Sequence, residues 1–395
     1  MVVYVVNLDD EAKAELSELA AIHRLRTPRV LDGRQGVHAL VDGVEVLNFA
    51  SNDYLGLAGD PRLVEAAKAS LDLEGAGAGA SRLIIGNHRE HVELEREVAG
   101  WVGVEAVQLF NSGYAANTGV LTALLREGDV VFSDELNHAS IVDGCRLSRA
   151  TIAVYKHRDL ADLERLLKLH AGRRRIVVTE TVFSMDGDVV DIEACSQLAR
   201  RHGASLIVDE AHAIGVMGVE GKGVCEHGAD IVIGTFGKAL GSFGAFAATT
   251  RAIADLLWNR ARPLIFTTGL PPHVAAATRR AVEIARSGEG DERRSALRRT
   301  IAQFRAALPS AGGHASVPIA SWVIGDDART AEVGRQLFAL RLLVGAVRPP
   351  TVPVGTARLR ISFSASHESR DVARLIETTR GVVAGVIAAN GAVAT

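Results

Sequence analysis

Gly234-Thr235-Phe236-Gly237-Lys238-Ala239-Leu240-Gly241 follows directly on an apolar run, Asp230-Ile231-Val232-Ile233. One lysine among glycines and small residues, at the end of such a run, is not placed as a solvated surface charge. The glycines let backbone or ligand come close. Thr235, three residues before the lysine, offers a hydroxyl on the same side of a turn. Together these are what a lysine needs to form an imine with a carbonyl cofactor while a phosphate is held nearby. A plain turn lysine, or a P-loop-like turn, is the competing reading, and the rest of the chain decides between them.

The chain has 395 residues, 48% hydrophobic and 23% charged, which is room for one large domain and a smaller one. A net charge of −3 provides no basic field for nucleic acid. Cys145, Cys195 and Cys225 are scattered without a CxxC pair, which fits a reducing cytoplasm and argues against a thiolate metal site. The opening Met1-Val2-Val3-Tyr4-Val5-Val6 is too short for a signal segment and runs into Asp9-Asp10-Glu11. No apolar run approaches membrane-spanning length.

Along the chain, residues 9–26 read as a helix capped by Asp9 or Asp10 and ended by Thr27-Pro28. Val37 to Phe49 reads as a hairpin around Asp42-Gly43, a type I′ signal. Pro61 opens a helix to about Leu71. The glycine-rich stretch at 74–88 is small and apolar rather than serine-rich, so a packed loop near a ligand is expected. Then strands and helices alternate. Ala106–Phe110, Val130–Phe132, Ile152–Tyr155, Ile176–Glu180, Leu206–Asp209 and Ile231–Gly234 read as strands, with Ala245–Thr249 a further one. This predicts an α/β fold: a mostly parallel central sheet with helices on both faces. Residues 309–395 read as a smaller α+β C-terminal domain, with Leu343–Ala346 and Arg358–Ser362 as short strands. The expected division is 1–47 as an N-terminal helix and hairpin, 48–285 as the large domain, and 286–395 as the C-terminal domain.

Four strand ends carry chemistry. After Val107–Phe110, Asn111-Ser112-Gly113-Tyr114 leads into a helix whose first amides suit a phosphate; an ordinary strand–helix turn is the alternative. After Val130–Phe132, His138 is placed to stack on a flat ring and reach a reacting carbonyl; a hydrogen-bonded structural histidine is the alternative. Ser205–Asp209 ends in an aspartate that needs a cationic partner if buried, with His212 three residues on. A protonated pyridine nitrogen is a good partner; a metal held by Asp209 and His212, or a Walker-B-like strand, competes. Ser184, in Glu180-Thr181-Val182-Phe183-Ser184-Met185-Asp186-Gly187-Asp188, is placed to donate to a phenolate oxygen, or else belongs to a turn built on Asp186-Gly187. Alternation puts Arg358 and Arg360 on one strand face, as a carboxylate fork or as a solvated edge. Each motif has its own bland reading, but one site explains all of them. A phosphate cradle, a ring stacker, a pyridinium partner and an imine lysine describe pyridoxal 5′-phosphate (PLP).

On these stretches the chain resembles the α-oxoamine synthase family, which are fold-type I PLP-dependent transferases. The resemblance runs from about residue 20 to 390. It is carried by Asn48–Leu57, Gly79–His88, Asn111–Asn117, Asn137–Ser140, Asp209–Gly215, Thr235–Phe243, Asn259–Pro272 and Arg348–Ser362. It implies that Lys238 holds the cofactor, His138 stacks on its ring, Asp209 pairs with its nitrogen, and His212 and Ser184 contact its phenolic oxygen. It implies that Ser112, Gly113, Tyr114 and Thr235 hold the phosphate. Thr267 or Thr268 would reach the phosphate of the other subunit of a homodimer with shared active sites. Arg360 would grip the amino-acid carboxylate with Asn52 nearby, and Arg24 and Thr351 would line the acyl-substrate entrance. The compact stretch from Met217 to Asp230 departs from some relatives, which leaves the acyl side less defined than the cofactor side.

Within the family, Gly241-Ser242-Phe243-Gly244, Asn259-Arg260-Ala261-Arg262 and Arg348-Pro349-Pro350-Thr351-Val352-Pro353 lean toward one reaction. It is the decarboxylative condensation of L-alanine with a pimeloyl thioester, carried by CoA or a carrier protein, on the route to biotin. The implied setting is cytoplasmic, with no nucleic acid, membrane or metal. A sister enzyme joining glycine to acetyl-CoA, and a partner subunit with a decayed site, are the alternatives.

Overall fold

A computed structural model describes residues 7–224 and 228–391. The Met1–Val6 reading and Cys225 lie outside the described residues. The strands are short runs rich in Val, Ile, Ala and Phe, and those inside the central sheet are buried on both faces, as a helix-covered parallel sheet requires, while the edge strand Thr151–Tyr155 exposes Ile152 and Val154.

The chain begins with α1 (Leu8–Ala21), β1 (Leu31–Asp32), β2 (His38–Val41) and β3 (Val44–Asn48). Next come α2 (Pro61–Glu74), α3 (Arg89–Val102), β4 (Ala106–Phe110), α4 (Gly113–Leu124), β5 (Val130–Asp134), α5 (Ala139–Leu147), β6 (Thr151–Tyr155) and α6 (Leu160–Leu169). Then follow β7 (Arg175–Glu180), α7 (Ile192–Arg201), β8 (Ser205–Asp209), β9 (Ile231–Thr235) and β10 (Ala245–Thr249). Helices α8 (Arg251–Arg260), α9 (Arg262–Ile265), α10 (Pro272–Ala285) and α11 (Gly288–Ala307) lead to the C-terminal part. That part contains β11 (Ile319–Gly325), α12 (Asp327–Ala339), β12 (Leu342–Leu343), β13 (Gly345–Val347), β14 (Ala357–Ser362) and α13 (Ser369–Gly391).

The central sheet has seven strands in the order β4-β10-β9-β8-β7-β5-β6. It is parallel except for β10, which runs antiparallel to both β4 and β9. The carboxyl ends of β4, β5, β7, β8 and β9 therefore share one edge, which is where ligands bind in such sheets. One apolar core packs α2, α3, α10 and the C-terminal elements against the sheet, and others lie under α4–α5 and under α6–α7. Within the sheet Gly234 of β9 is paired with Phe246 of β10, and the Phe246 ring fills the space where a Cβ on Gly234 would sit.

Three expectations change. The first helix ends at Ala21, because His23 takes φ +57° and closes it in the left-handed region; its cap is Asn7, whose side chain accepts from Asp9 N, and none of its residues is buried. The expected Leu343–Ala346 strand is two strands: β12 pairs parallel with β3 in the N-terminal sheet, and β13 pairs with β14 in the three-stranded sheet β11-β14-β13. The glycine-rich stretch is packed only in part, at Ala78, Arg82 and Gly86, with Ser81 bridged to Thr268. Gly75, Ala76, Gly77 and Gly79 are exposed, and so are Leu83, Ile84 and Ile85 beyond it. The hairpin stands as expected, with Asp42 at φ +52° and Gly43 at φ +74°, as a type I′ turn demands.

Gly234→Ala is expected to lower stability by about 1–3 kcal/mol through overpacking against Phe246. Urea unfolding followed by circular dichroism measures this, and an unchanged midpoint would contradict the packing described here.

Candidate active site

The turn after β4 is set by Ser112, whose hydroxyl accepts from Ala115 N at 3.1 Å and caps α4. The amides of Gly113 and Tyr114 precede that capped one, at the positive end of the helix. A Cβ on Gly113 would meet nothing within 4 Å, so the space above this turn is open. Tyr114 donates to Asp143 at 2.5 Å.

His138 caps α5 in the same manner, its Nδ1 accepting from Ser140 N at 3.2 Å and lying 2.8 Å from Ser140 Oγ. Its own amide donates to Glu180 Oε1, at the end of β7, at 2.6 Å. Burial, and then the nearby Lys238, hold its imidazole below the usual histidine range against the pull of Asp209.

Asp209 ends β8 buried. Asn117 Nδ2 donates to its Oδ2 at 2.7 Å and Ala211 N to its Oδ1 at 2.8 Å. Among the described residues no arginine or lysine forms an ion pair with it, and its hydrogen-bond partners are these neutral N–H groups. Glu180 lies beside it in register, and burial followed by Asp209's charge pushes that carboxyl well above the ordinary range.

Lys238 stands beyond β9 with Nζ 2.9 Å from His212 Nε2. His212 Nδ1 lies 2.6 Å from the Tyr54 hydroxyl, which also donates to Asn52 Oδ1 at 3.1 Å. Burial, then Lys238 and Arg360, hold His212 far below its usual value, so the ring is neutral. Burial brings Lys238 down to about 8, against the pull of Asp209 and Glu180. Thr235 donates to Gly244 O at 3.0 Å and accepts from Gly237 N at 3.3 Å, which shapes the lysine turn.

Arg360 of β14 reaches in from the C-terminal sheet. It is buried, and it donates to Ser184 O at 2.5 Å, Ser362 Oγ at 2.8 Å and Asn52 Oδ1 at 3.1 Å. All of these partners are neutral. Arg358, on the same face, is buried and paired with Asp186. Neither is a solvated edge.

A cavity of about 840 Å³ joins these groups; its walls include Asn52, His138, Ser184, His212, Lys238, Thr351 and Arg360. Arg24 is not brought to it: its guanidinium is held by Asp327 at 2.7 Å. Arg26 instead reaches Thr351 Oγ1 at 3.0 Å. Thr267 and Thr268 are exposed, and the Thr268 carbonyl accepts from Asn111 of its own chain at 2.8 Å.

Sequence reasoning left Tyr54, Asn117 and Glu180 without a role, although all three lie in stretches it singled out. Each acts on a predicted residue from another strand or loop, and no spacing within one motif reveals that. Apolar runs ending in polar residues were the available signal.

The arrangement defines a class. The chain matches the Aminotransferase class I and II family over residues 44–378 and belongs to that family. Its fold is the fold-type I arrangement of PLP enzymes. It superposes on Sphingomonas wittichii serine palmitoyltransferase with a TM-score of 0.90 at 28% identity, covering 98% of this chain and 99% of that one. The 8-amino-7-oxononanoate synthase of Francisella tularensis superposes with a TM-score of 0.74 at 27% identity, covering 87% and 99%. Within the family the similar sequences are more particular. The chain is 45% identical to the 8-amino-7-oxononanoate synthase of Geobacter sulfurreducens, over 92% of this chain and 95% of that one. It is 44% identical to that of Methylococcus capsulatus, over 95% and 98%.

A lysine at about 8 is substantially neutral near neutral-to-basic pH. Trapping of a pyridoxal aldehyde by borohydride, read by peptide mass, is expected to modify Lys238 with a midpoint near pH 8. Labelling that rises only near the ordinary lysine range of about 10.4 would contradict the burial described here.

Proposed function

We propose that this chain is a PLP-dependent acyltransferase. It condenses L-alanine with a pimeloyl thioester and releases CO2 and the free thiol, giving 8-amino-7-oxononanoate in biotin biosynthesis. The choice of reaction is supported by the relatives of that name at 44–45% identity. The site observation that carries the reading is Arg360: a buried guanidinium without a carboxylate partner among the described residues, opening on the same cavity as a lysine of lowered basicity.

The residues present fit the cofactor. The open cradle over Gly113 suits its phosphate, and Asp209, buried without a cationic partner, suits a protonated ring nitrogen. Ser112, Gly113, Tyr114 and Thr235 would hold the phosphate, His138 would cover the ring, and Ser184 and His212 would face its phenolic oxygen. Bound here, PLP supplies a carbonyl that condenses with amines and a ring that takes up the electron pair freed at the amino-acid α-carbon.

The chain's own groups do the rest. Arg360 holds the alanine carboxylate by a two-pronged hydrogen bond, with Asn52 beside it. That fixes the α-carbon near Lys238 Nζ, which removes its proton; a base of about 8 is matched to the task near neutral pH. Neutral His212, fixed by Tyr54, accepts a hydrogen bond from Nζ and orients it. Asp209, set by Asn117 and the Ala211 amide, would face the ring nitrogen and keep the electron demand of the site high. His138 polarises the thioester carbonyl as the new carbon–carbon bond forms and the thiolate leaves. The resulting β-keto acid loses CO2, and Lys238 returns a proton to the α-carbon. Thr351, beside Arg26, belongs to the acyl entrance.

The working form proposed is a homodimer in the cytoplasm. Leu83, Ile84, Ile85 and Phe266 stand 51%, 76%, 78% and 69% exposed near Thr267 and Thr268, and a second copy covering them would bring those threonines to its cradle. Among the described residues no helix is long and apolar enough to cross a membrane.

With alanine and pimeloyl-CoA, mass spectrometry is expected to find 8-amino-7-oxononanoate; exclusive use of glycine with a short acyl-CoA would overturn the assignment. Arg360→Ala is expected to raise the alanine KM, a loss of roughly 2–5 kcal/mol in kcat/KM for a broken buried charge contact. Steady-state kinetics in both substrates checks this, and a change confined to the acyl KM would contradict the role given to Arg360.

A further inference from the structure

His157 lies just beyond β6, outside the cavity wall, yet it contacts both turns that shape that wall. Its Nδ1 is 2.9 Å from Asp134 Oδ1 and its Nε2 is 2.6 Å from Asp188 Oδ2. Asp134 ends β5, and its other contacts shape the approach to His138: it accepts from Leu136 N at 2.9 Å and Arg158 N at 2.9 Å. Asp188 closes the turn that carries Ser184, with Phe183 N donating to Asp188 O at 3.0 Å. The imidazole meets the Phe183 ring edge-on, with centroids 4.4 Å apart. Glu135 also accepts from His157 N at 2.8 Å.

The Ser184 turn is gripped on its other side from the C-terminal sheet, by Arg358 at Asp186 and Arg360 at Ser184 O. His157 thus adds a side-chain tie between that turn and the strand that leads to His138, beyond the His138 amide on Glu180. We propose that His157 is a positioning residue: by bridging Asp134 and Asp188 it sets the spacing of the two turns that carry His138 and Ser184 into the cavity. The assignment of His138 and Ser184 to the cofactor rests on the function proposed above.

The charges facing the imidazole are Asp134, Glu135 and Asp188, with Arg158 reaching Asp188 at 3.4 Å. Burial works against a charged ring, but the hydrogen bonds it donates to Asp134 and Asp188 outweigh this and bring the imidazolium up to about 9. The native value is raised. The brace is therefore complete below the ordinary histidine value of about 6.5 and is lost as pH rises through about 9.

The test uses the full-length holoenzyme and its cofactor-free form. His157→Gln is expected to lower kcat by roughly 10- to 100-fold at pH 7, as small misplacements do, with the alanine KM within about twofold because Arg360 is held from β14. Cofactor affinity, followed by the absorbance of bound PLP, falls in parallel. Lys238 titrates on its own, so the readout is the ratio of wild type to variant. That ratio is expected to be constant up to about pH 8 and to close above about pH 9. Asp188→Asn is expected to give the same pattern, and far-UV circular dichroism confirms that both variants are folded. In the unmodified enzyme, NMR of 13C-labelled histidine is expected to show an imidazole titrating near 9. An imidazole set without that titration, or a ratio equal at pH 7 and pH 10, overturns the proposal. The absorbance and NMR readouts need no acyl substrate, so failure of the condensation assay alone would count against the reaction and not against the brace.

Discussion

Lys238 is held beside a neutral imidazole rather than a carboxylate, and the rest of the site follows from that contact. Had His212 been charged, Nζ would have been repelled; had an aspartate stood in its place, the ammonium would have been stabilised and useless as a base. Neutrality of His212 is secured by burial and by Tyr54 on its other nitrogen. Tyr54 in turn is fixed by Asn52, which also receives Arg360. A continuous line of hydrogen bonds thus runs from the proton-transfer group to the proposed carboxylate clamp. Asp209 and Glu180 act on Lys238 by charge, and the burial that raises Glu180 lowers Lys238. Such a centre is costly to fold, and the sheet core beneath it offsets that cost.

The central sheet was legible because its strands are short apolar runs, and the polar residues at the ends of β5, β7, β8 and β9 lie on the one edge where ligands bind. His138, Asp209 and Lys238 could be placed that way. Arg360 could be placed on a face by alternation, but not paired with Ser184 and Asn52, because those contacts cross between sheets. Asn117, Tyr54 and Glu180 escaped for a related reason: their partners are remote in sequence and their own local patterns are ordinary. Arg24 was expected on a helix that in fact ends at Ala21, so it lies beyond the helix, and its direction is fixed by an ion pair with the remote Asp327. The first helix was overextended because one histidine adopts a left-handed backbone, which composition does not announce.

The site draws on three sheets. The N-terminal hairpin is completed by β12, which arrives from the C-terminal part, and that same part delivers Arg360 through β14. The Asn48–Tyr54 segment leaves β3 directly for the cavity. Any shift of the C-terminal sheet therefore carries Asn52 and Arg360 together, which keeps their 3.1 Å contact while the cavity changes shape.

The antiparallel strand has a further consequence, for the order in which the molecule is made. Strand β4 carries the turn proposed to hold phosphate, yet among the described residues its neighbour in the central sheet is β10 alone, the last strand of that sheet to be synthesised. During translation the other parallel strands can zip together as they emerge, while β4 and its turn wait without a ladder partner. Non-local pairing of this kind is slow and leaves apolar edges exposed meanwhile. A nascent chain stalled before Ala245 would carry His138, Asp209 and Lys238 but no cradle beside them, so the cofactor site is completed only late in synthesis.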